Sequence, residues 1–374
     1  MSRRKAPREA CRKCYAAGLA LLLAAGLALA WYLHFKGREQ GVYALSREQV
    51  AVPPQGKLRK MALPEIDGLP IWSVDTKINR IACNRQYKDA AQGWVIKQWK
   101  NQDSLCNDKS PAPTDVCPGA SSELSTGTSR YCHWNKERKV LLSMDAGKMA
   151  NHGCNPNAKG NVGGFVSYLA WEPKILPDFY RQRERYMLRN IEEIFVRFRF
   201  RNNKVDDAYE CDENKVDKDA VHTKAIVHSY ATATFSEIDP GTGRGTGRTI
   251  FYQILNYDAR PKVQEHIQQG RHVYLTCNYK NHKHSTMIYR DTVWEFGQPI
   301  AWPPRKGGGA FVDYEFNLLA GMKRGIKECY GDDIDAGNFK FTGFHIGTEI
   351  KNGAFHEFMI EKPEIEIIYS KDPG

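Results

Sequence analysis

Residues 194–201, IFVRFRFR, decide the fold of this chain. Val196, Phe198 and Phe200 alternate with Arg197, Arg199 and Arg201. Side chains that alternate with a period of two lie on opposite faces of a strand, one buried and one wet. The pattern recurs on the C-terminal side. Ala225–Phe235 is rich in Thr, Val and Tyr, and Thr249–Tyr257 reads TIFYQILNY. Between them, Glu237 to Arg248 carries Pro240 and four glycines, which predicts a hairpin with a long tip. Further strands are expected at His272–Tyr279, Ser285–Phe296, Val312–Leu319, Phe339–Ile346, Ala354–Ile360 and Glu364–Tyr369. Helices are few, Pro261–Gln269 being one candidate. The expected fold is mainly β: an antiparallel β-sandwich of the jelly-roll kind over residues 176–374.

The chain before this region reads differently. Residues 71–175 are loop-rich, with short strand candidates at Ile71–Val74, Trp94–Trp99, Val140–Met144 and Phe165–Leu169. They are expected to form a disulfide-rich part packed on the sandwich. Residues 36–70, with Pro53-Pro54 and Gly56, read as a linker. Residues 15–35 form an apolar run of Ala, Gly and Leu that closes on Trp31, Tyr32 and Phe35. As a helix this run matches the thickness of a bilayer core. Residues 1–14 hold Arg3, Arg4, Lys5, Arg8, Arg12 and Lys13 against Glu9 alone. Basic flanks stay in the cytoplasm, so the expectation is a single-pass signal-anchor with the bulk of the chain extracytoplasmic. A cleaved signal peptide ending at Ala28-Leu29-Ala30 is the alternative, and it exports the same residues.

Charge and cysteine content fit that setting. The formal net charge is +11, of which residues 1–35 supply +5, leaving a mild excess that is no nucleic-acid signature. Cys11 and Cys14 fall on the cytoplasmic side. The other eight cysteines are Cys83, Cys106, Cys117, Cys132, Cys154, Cys211, Cys277 and Cys329. An even number in an exported region predicts up to four disulfides. Five of them precede residue 160 and three follow residue 210, so complete pairing requires one bridge between the groups. The absence of any Asn-x-Ser/Thr sequon leans toward a bacterial envelope protein.

The C-terminal segment FTGFHIGTEIKNGAFHEFMIEKPEIEIIY, residues 341–369, resembles in layout the closing strands of jelly-roll carbohydrate-binding modules and polysaccharide lyases. That resemblance spans residues 191–370 and implies a concave sheet face on which a glycan lies. Sugars dock on aromatic rings and planar polar groups. The ligand-binding candidates are Arg197, Arg199, His228, Tyr230, Gln253, Tyr257, Asp258, Arg260, Trp294 and Trp302. In the lyase alternative, Arg199, His228, Tyr230 and Gln253 would neutralise a uronate carboxylate and move protons. Gln253-Ile254-Leu255 lacks the histidine of the lyases' Gln-Ile-His motif. Glu237-Ile238-Asp239 starts like a laminarinase-type hydrolase strand but has no second Glu. No cofactor is expected, beyond a candidate structural calcium at Asp333 and Asp335. The sequence therefore predicts a membrane-anchored, extracytoplasmic polysaccharide-binding protein, with an acidic glycan as the favoured partner. A lyase, or less so a hydrolase, is the enzymatic alternative. A structural envelope protein that binds another protein is the third.

Overall fold

A computed structural model describes residues 58–64, 69, 71–75, 80–85, 93–99, 105, 117–148, 165–173, 183–207, 226–278, 286–290 and 308–370. In chain order its strands are β1 (Leu58–Ala62), β2 (Ile71–Asp75), β3 (Arg80–Arg85), β4 (Trp94–Trp99), β5 (Ser122–Ser125), β6 (Ser129–Trp134), β7 (Lys139–Asp145) and β8 (Phe165–Trp171). They continue as β9 (Ile191–Asp206), β10 (Ile226–Ile238), β11 (Gly245–Asp258), β12 (Val273–Asn278), β13 (Thr286–Arg290), β14 (Val312–Asn317), β15 (Phe339–Lys351) and β16 (Phe355–Tyr369). Helix α1 is Pro261–Gln268 and helix α2 is Leu319–Tyr330. The chain is mainly β, in two sheets.

One sheet has seven strands in the order β14-β9-β16-β7-β6-β5, with β1 added on β16. The other has nine, in the order β13-β12-β11-β10-β15-β8-β4-β2-β3. All pairings are antiparallel except β2 with β4. The inward faces form one sandwich-like core. Val196, Phe198 and Phe200 of β9 meet Ala231, Ala233 and Phe235 of β10 and Phe341, Phe344 and Ile346 of β15 in a single buried cluster. Phe198 stacks on Tyr314 within its own sheet at 4.8 Å and reaches Phe344 of the opposite sheet at 6.2 Å. Each such ring removed from water contributes roughly 1.5–3 kcal/mol.

The hairpin read from the sequence is present: β10 pairs with β11 around a tip at 239–244. So is the Asn352-Gly353 turn between β15 and β16, where both residues have positive φ, 54° and 81°. That geometry suits a tight turn between twisted strands. The expected strands Ala354–Ile360 and Glu364–Tyr369 are one strand, β16, interrupted by a bulge at Lys362, φ 49°.

Two expectations are corrected at the level of the fold. The described strands of residues 71–175 do not form a separate part outside the sandwich. Strands β2, β3, β4 and β8 belong to the nine-stranded sheet, and β5, β6 and β7 to the other. A domain boundary at 175/176 therefore has no counterpart, and residues 51–374 form one compact unit. The second correction is α2, which the sequence reading passed over. Its Leu319, Met322, Ile326 and Cys329 recur at helical spacing and are buried. Gly325 lets the helix approach the sheet, since a Cβ there would lie 3.0 Å from Leu275 Cδ1. Among the described residues no helix is long and apolar enough to cross a membrane; residues 15–35 lie outside them.

Two disulfides are described, Cys117–Cys132 and Cys277–Cys329. The second ties α2 to β12. The side chains of Cys83, Cys106, Cys154 and Cys211 lie outside the described residues.

Candidate functional site: a concave groove on the nine-stranded sheet

Alternation gives the nine-stranded sheet a second face. On β10, Ala231, Ala233 and Phe235 point into the core, so His228, Tyr230, Thr232 and Thr234 point the other way. On β4 the same rule separates Trp94 and Ile96 from Lys97, and on β8 it separates Leu169 and Trp171 from Val166 and Tyr168. Together with Gln253 and Phe251 of β11, Tyr274 and Thr276 of β12, and His345 and Glu349 of β15, these residues line a groove of about 570 Å³.

Strand register sets the floor in rows. One row runs Tyr274, Gln253, Thr232, His345 and Ala170 from β12 to β8. The next runs Leu255, Tyr230, Gly347, Tyr168 and Lys97 from β11 to β4. A third holds Asp258, His228, Glu349 and Val166.

Gly347 organises the middle row. A Cβ there would lie 2.2 Å from Ser167 O and 2.4 Å from Tyr168 Cδ1. Its absence lets the rings of Tyr168 and Tyr230 close over β15, with centroids 5.7 Å apart and their hydroxyls hydrogen-bonded. His228 lies against Tyr230 at 4.3 Å, and its Nε2 is 2.9 Å from the Tyr274 hydroxyl. At the groove's other side Glu172, 3 % exposed, takes an ion pair from Lys97 and sits 3.0 Å from His345 Nε2. His345 stacks on Tyr168 at 5.7 Å.

Burial sets the protonation of these groups. It raises Tyr168 well above the ordinary phenol range, with the nearby Glu349 adding to the rise. Burial raises Tyr230 and Tyr274 as well. His228 is pushed well below the ordinary imidazole value, first by burial and then by Arg260 and Lys351. At neutral pH the floor thus carries protonated phenols and an uncharged imidazole. Asp258 is raised by burial, against the opposing pull of Arg260, whose Nε lies 2.9 Å from Oδ1.

The structure brings His228, Tyr230 and Gln253 together on the groove, and Asp258, held by Arg260, lies 3.6 Å from His228 Nε2. Tyr257 does not join them. Tyr230 pairs with Leu255 and Ser229 with Tyr257, so Asn256 is an extra residue in β11. This β-bulge shifts the alternation by one place. Tyr257 is thereby turned to the core side, where its hydroxyl donates to Asp207 Oδ2 at 2.6 Å.

Arg197 and Arg199 belong to the other sheet altogether. They stand on the outer face of β9, not beside Gln253. Arg197 pairs with Glu315 at 3.0 Å and Glu366 at 2.6 Å; Arg199 pairs with Asp313 at 2.9 Å and Glu361 at 2.7 Å. The alternation was legible, but not which sheet β9 joins. Trp294 and Trp302 lie outside the described residues. Asp335, a calcium candidate with Asp333, caps a short turn by accepting from Gly337 N at 2.8 Å. Among the described residues the one cluster of three potential metal ligands is Cys117, Glu123 and Cys132, and its cysteines form a disulfide.

Lys97, Tyr168, Glu172, Tyr274, His345 and Glu349 were missed. His345 and Glu349 alternate with Phe344, Ile346 and Ile350 in FHIGTEI, a pattern that marks them as facing away from the core. Compared with known proteins, no family model matches the chain and no curated protein is significantly similar to it.

Proposed function

We propose that this groove binds a polysaccharide chain laid across the strands of the nine-stranded sheet. The observation that carries the reading is the floor around Gly347, where tyrosine rings, Gln253 and Thr232 sit side by side in an open concavity. Rings accept the C–H faces of sugars, and planar amides and hydroxyls bond their hydroxyl groups. The jelly-roll assignment, the anchor at residues 15–35 and the extracytoplasmic location belong to this proposal. The two-sheet sandwich and the two disulfides support it. A glycan array probed with the full chain tests it; binding to proteins but to no glycan would favour the structural-protein alternative.

A second reading is a polysaccharide lyase, motivated by His228 lying against the Tyr230 ring and 2.9 Å from the Tyr274 hydroxyl. β-Elimination removes the proton α to a uronate carboxylate and expels the linked sugar oxygen, leaving a C=C bond. His228 would accept the proton, and the Tyr168–Tyr230 pair would donate one to the leaving oxygen. Arg199 has no part in this scheme, because it stands on the other sheet. Release of ultraviolet-absorbing unsaturated ends from uronate polymers would establish it.

A further inference from the structure

Lys97, Glu172 and His345 meet on the groove wall. Lys97 and Glu172 are only 5 % and 3 % exposed, and Glu172 Oε1 serves both Lys97 Nζ and His345 Nε2, the latter at 3.0 Å. A proton on His345 adds one positive charge in a recessed, poorly hydrated place, where a charge acts more strongly than in water.

The other charged groups that face the groove are matched or fixed. Asp258, behind His228, is held by Arg260, with Nε–Oδ1 at 2.9 Å, and Glu349 pairs with Lys351 at 3.2 Å. Tyr168 and Tyr230 stay protonated because they are buried, and His228 stays uncharged through burial and Arg260. Histidine is the side chain that ordinarily gains its charge between pH 5 and 8. His345 is the histidine that lies beside the Lys97–Glu172 pair.

We infer that the groove takes a carboxylate-bearing glycan, one of whose acid groups docks at Lys97 while His345 takes up a proton. This rests on the reading of the groove as a glycan site. Binding an anion there and binding a proton at His345 must then favour each other equally, because linkage is reciprocal.

The test is calorimetric titration of the full chain with a galacturonate tetramer and with its uncharged methyl ester, at pH ~5.5 and ~7.5. Repeating it in buffers of different ionisation enthalpy counts the protons taken up. The expected result is about tenfold tighter binding of the acid at the lower pH, the change that a one-unit rise in the imidazole's proton affinity brings. Proton uptake, counted at an intermediate pH of ~6.5, peaks at about half a proton, the most that a one-unit rise allows, and the methyl ester shows neither effect. His345→Gln keeps a donor for Glu172 but cannot titrate, so it should bind the acid with no pH dependence and an unchanged melting temperature. Acid binding with no proton uptake, or full pH dependence in His345→Gln, overturns the inference. Binding of the methyl ester alone overturns the inference and leaves the glycan reading standing. Binding of neither glycan here, with none on the array, removes both.

Discussion

Tyr168 and Tyr230 are joined hydroxyl to hydroxyl across a strand that separates them, because the residue between them, Gly347, has no side chain. The contact makes the groove floor continuous from β10 to β8. Gly347→Ala would place a methyl group 2.2 Å from Ser167 O and 2.4 Å from the Tyr168 ring. Overpacking of that sort costs about 1–3 kcal/mol. Urea unfolding should show the loss, and any glycan affinity should fall with it as Tyr168 is displaced.

His356 gives the sandwich an acid sensitivity. It is fully buried, its Nε2 is 2.9 Å from Asn202 Oδ1, and burial lowers its pKa from 6.5 to about 3. Between those values the unfolded chain binds a proton that the folded chain does not, so stability is full above pH 6.5 and is lost as pH falls toward 3. His228 acts in the same direction. Denaturant midpoints from pH 7 to 4 should decline, and the decline should be shallower in His356→Gln.

The two described disulfides leave Cys83, Cys106, Cys154 and Cys211. If all eight cysteines from Cys83 to Cys329 pair, Cys211 must join one of the three earlier ones. Peptide mapping of the unreduced protein should find that bridge; a free Cys211 thiol would contradict it. Cys277–Cys329 closes 52 residues, so Cys277→Ala with Cys329→Ala should cost about 4 kcal/mol by the chain-entropy relation.

Arg199→Ala should leave glycan binding unchanged. Its side chain is paired with Asp313 and Glu361 on the outer face of the seven-stranded sheet. These partners are largely to partly exposed, and such pairs contribute about 0–1 kcal/mol. A loss of binding in Arg199→Ala would place the ligand on the wrong sheet for this account.

Local pattern carried much of the architecture into the sequence. Period-two alternation revealed β9, β10 and β11, and glycines revealed the 239–244 tip and the Asn352-Gly353 turn. What alternation cannot carry is partnership between distant strands. Arg197 and Gln253 look equivalent in sequence because each faces away from a core, yet they face opposite sides of the sandwich. The bulge at Asn256 was likewise invisible, and it turned Tyr257 to the core side and Asp258 to the side of His228. Lys97 and Glu172 lie in short segments of a region dense in turn residues. Their role emerges only when β4 and β8 pair and bring them to one carboxylate-centred contact.

The most direct measurement of the central claim is calorimetric titration of an oligosaccharide panel against three proteins: the wild type, Gln253→Ala and Arg199→Ala. Gln253 lies on the groove floor beside Tyr274 and Thr232, and Arg199 lies on the opposite sheet. The account predicts that at least one oligosaccharide binds the wild type. It also predicts that Gln253→Ala weakens binding by roughly 2–10-fold, the value of one hydrogen bond, and that Arg199→Ala does not change it. Binding that survives Gln253→Ala intact but is lost in Arg199→Ala, or no binding by any member of the panel, would contradict it.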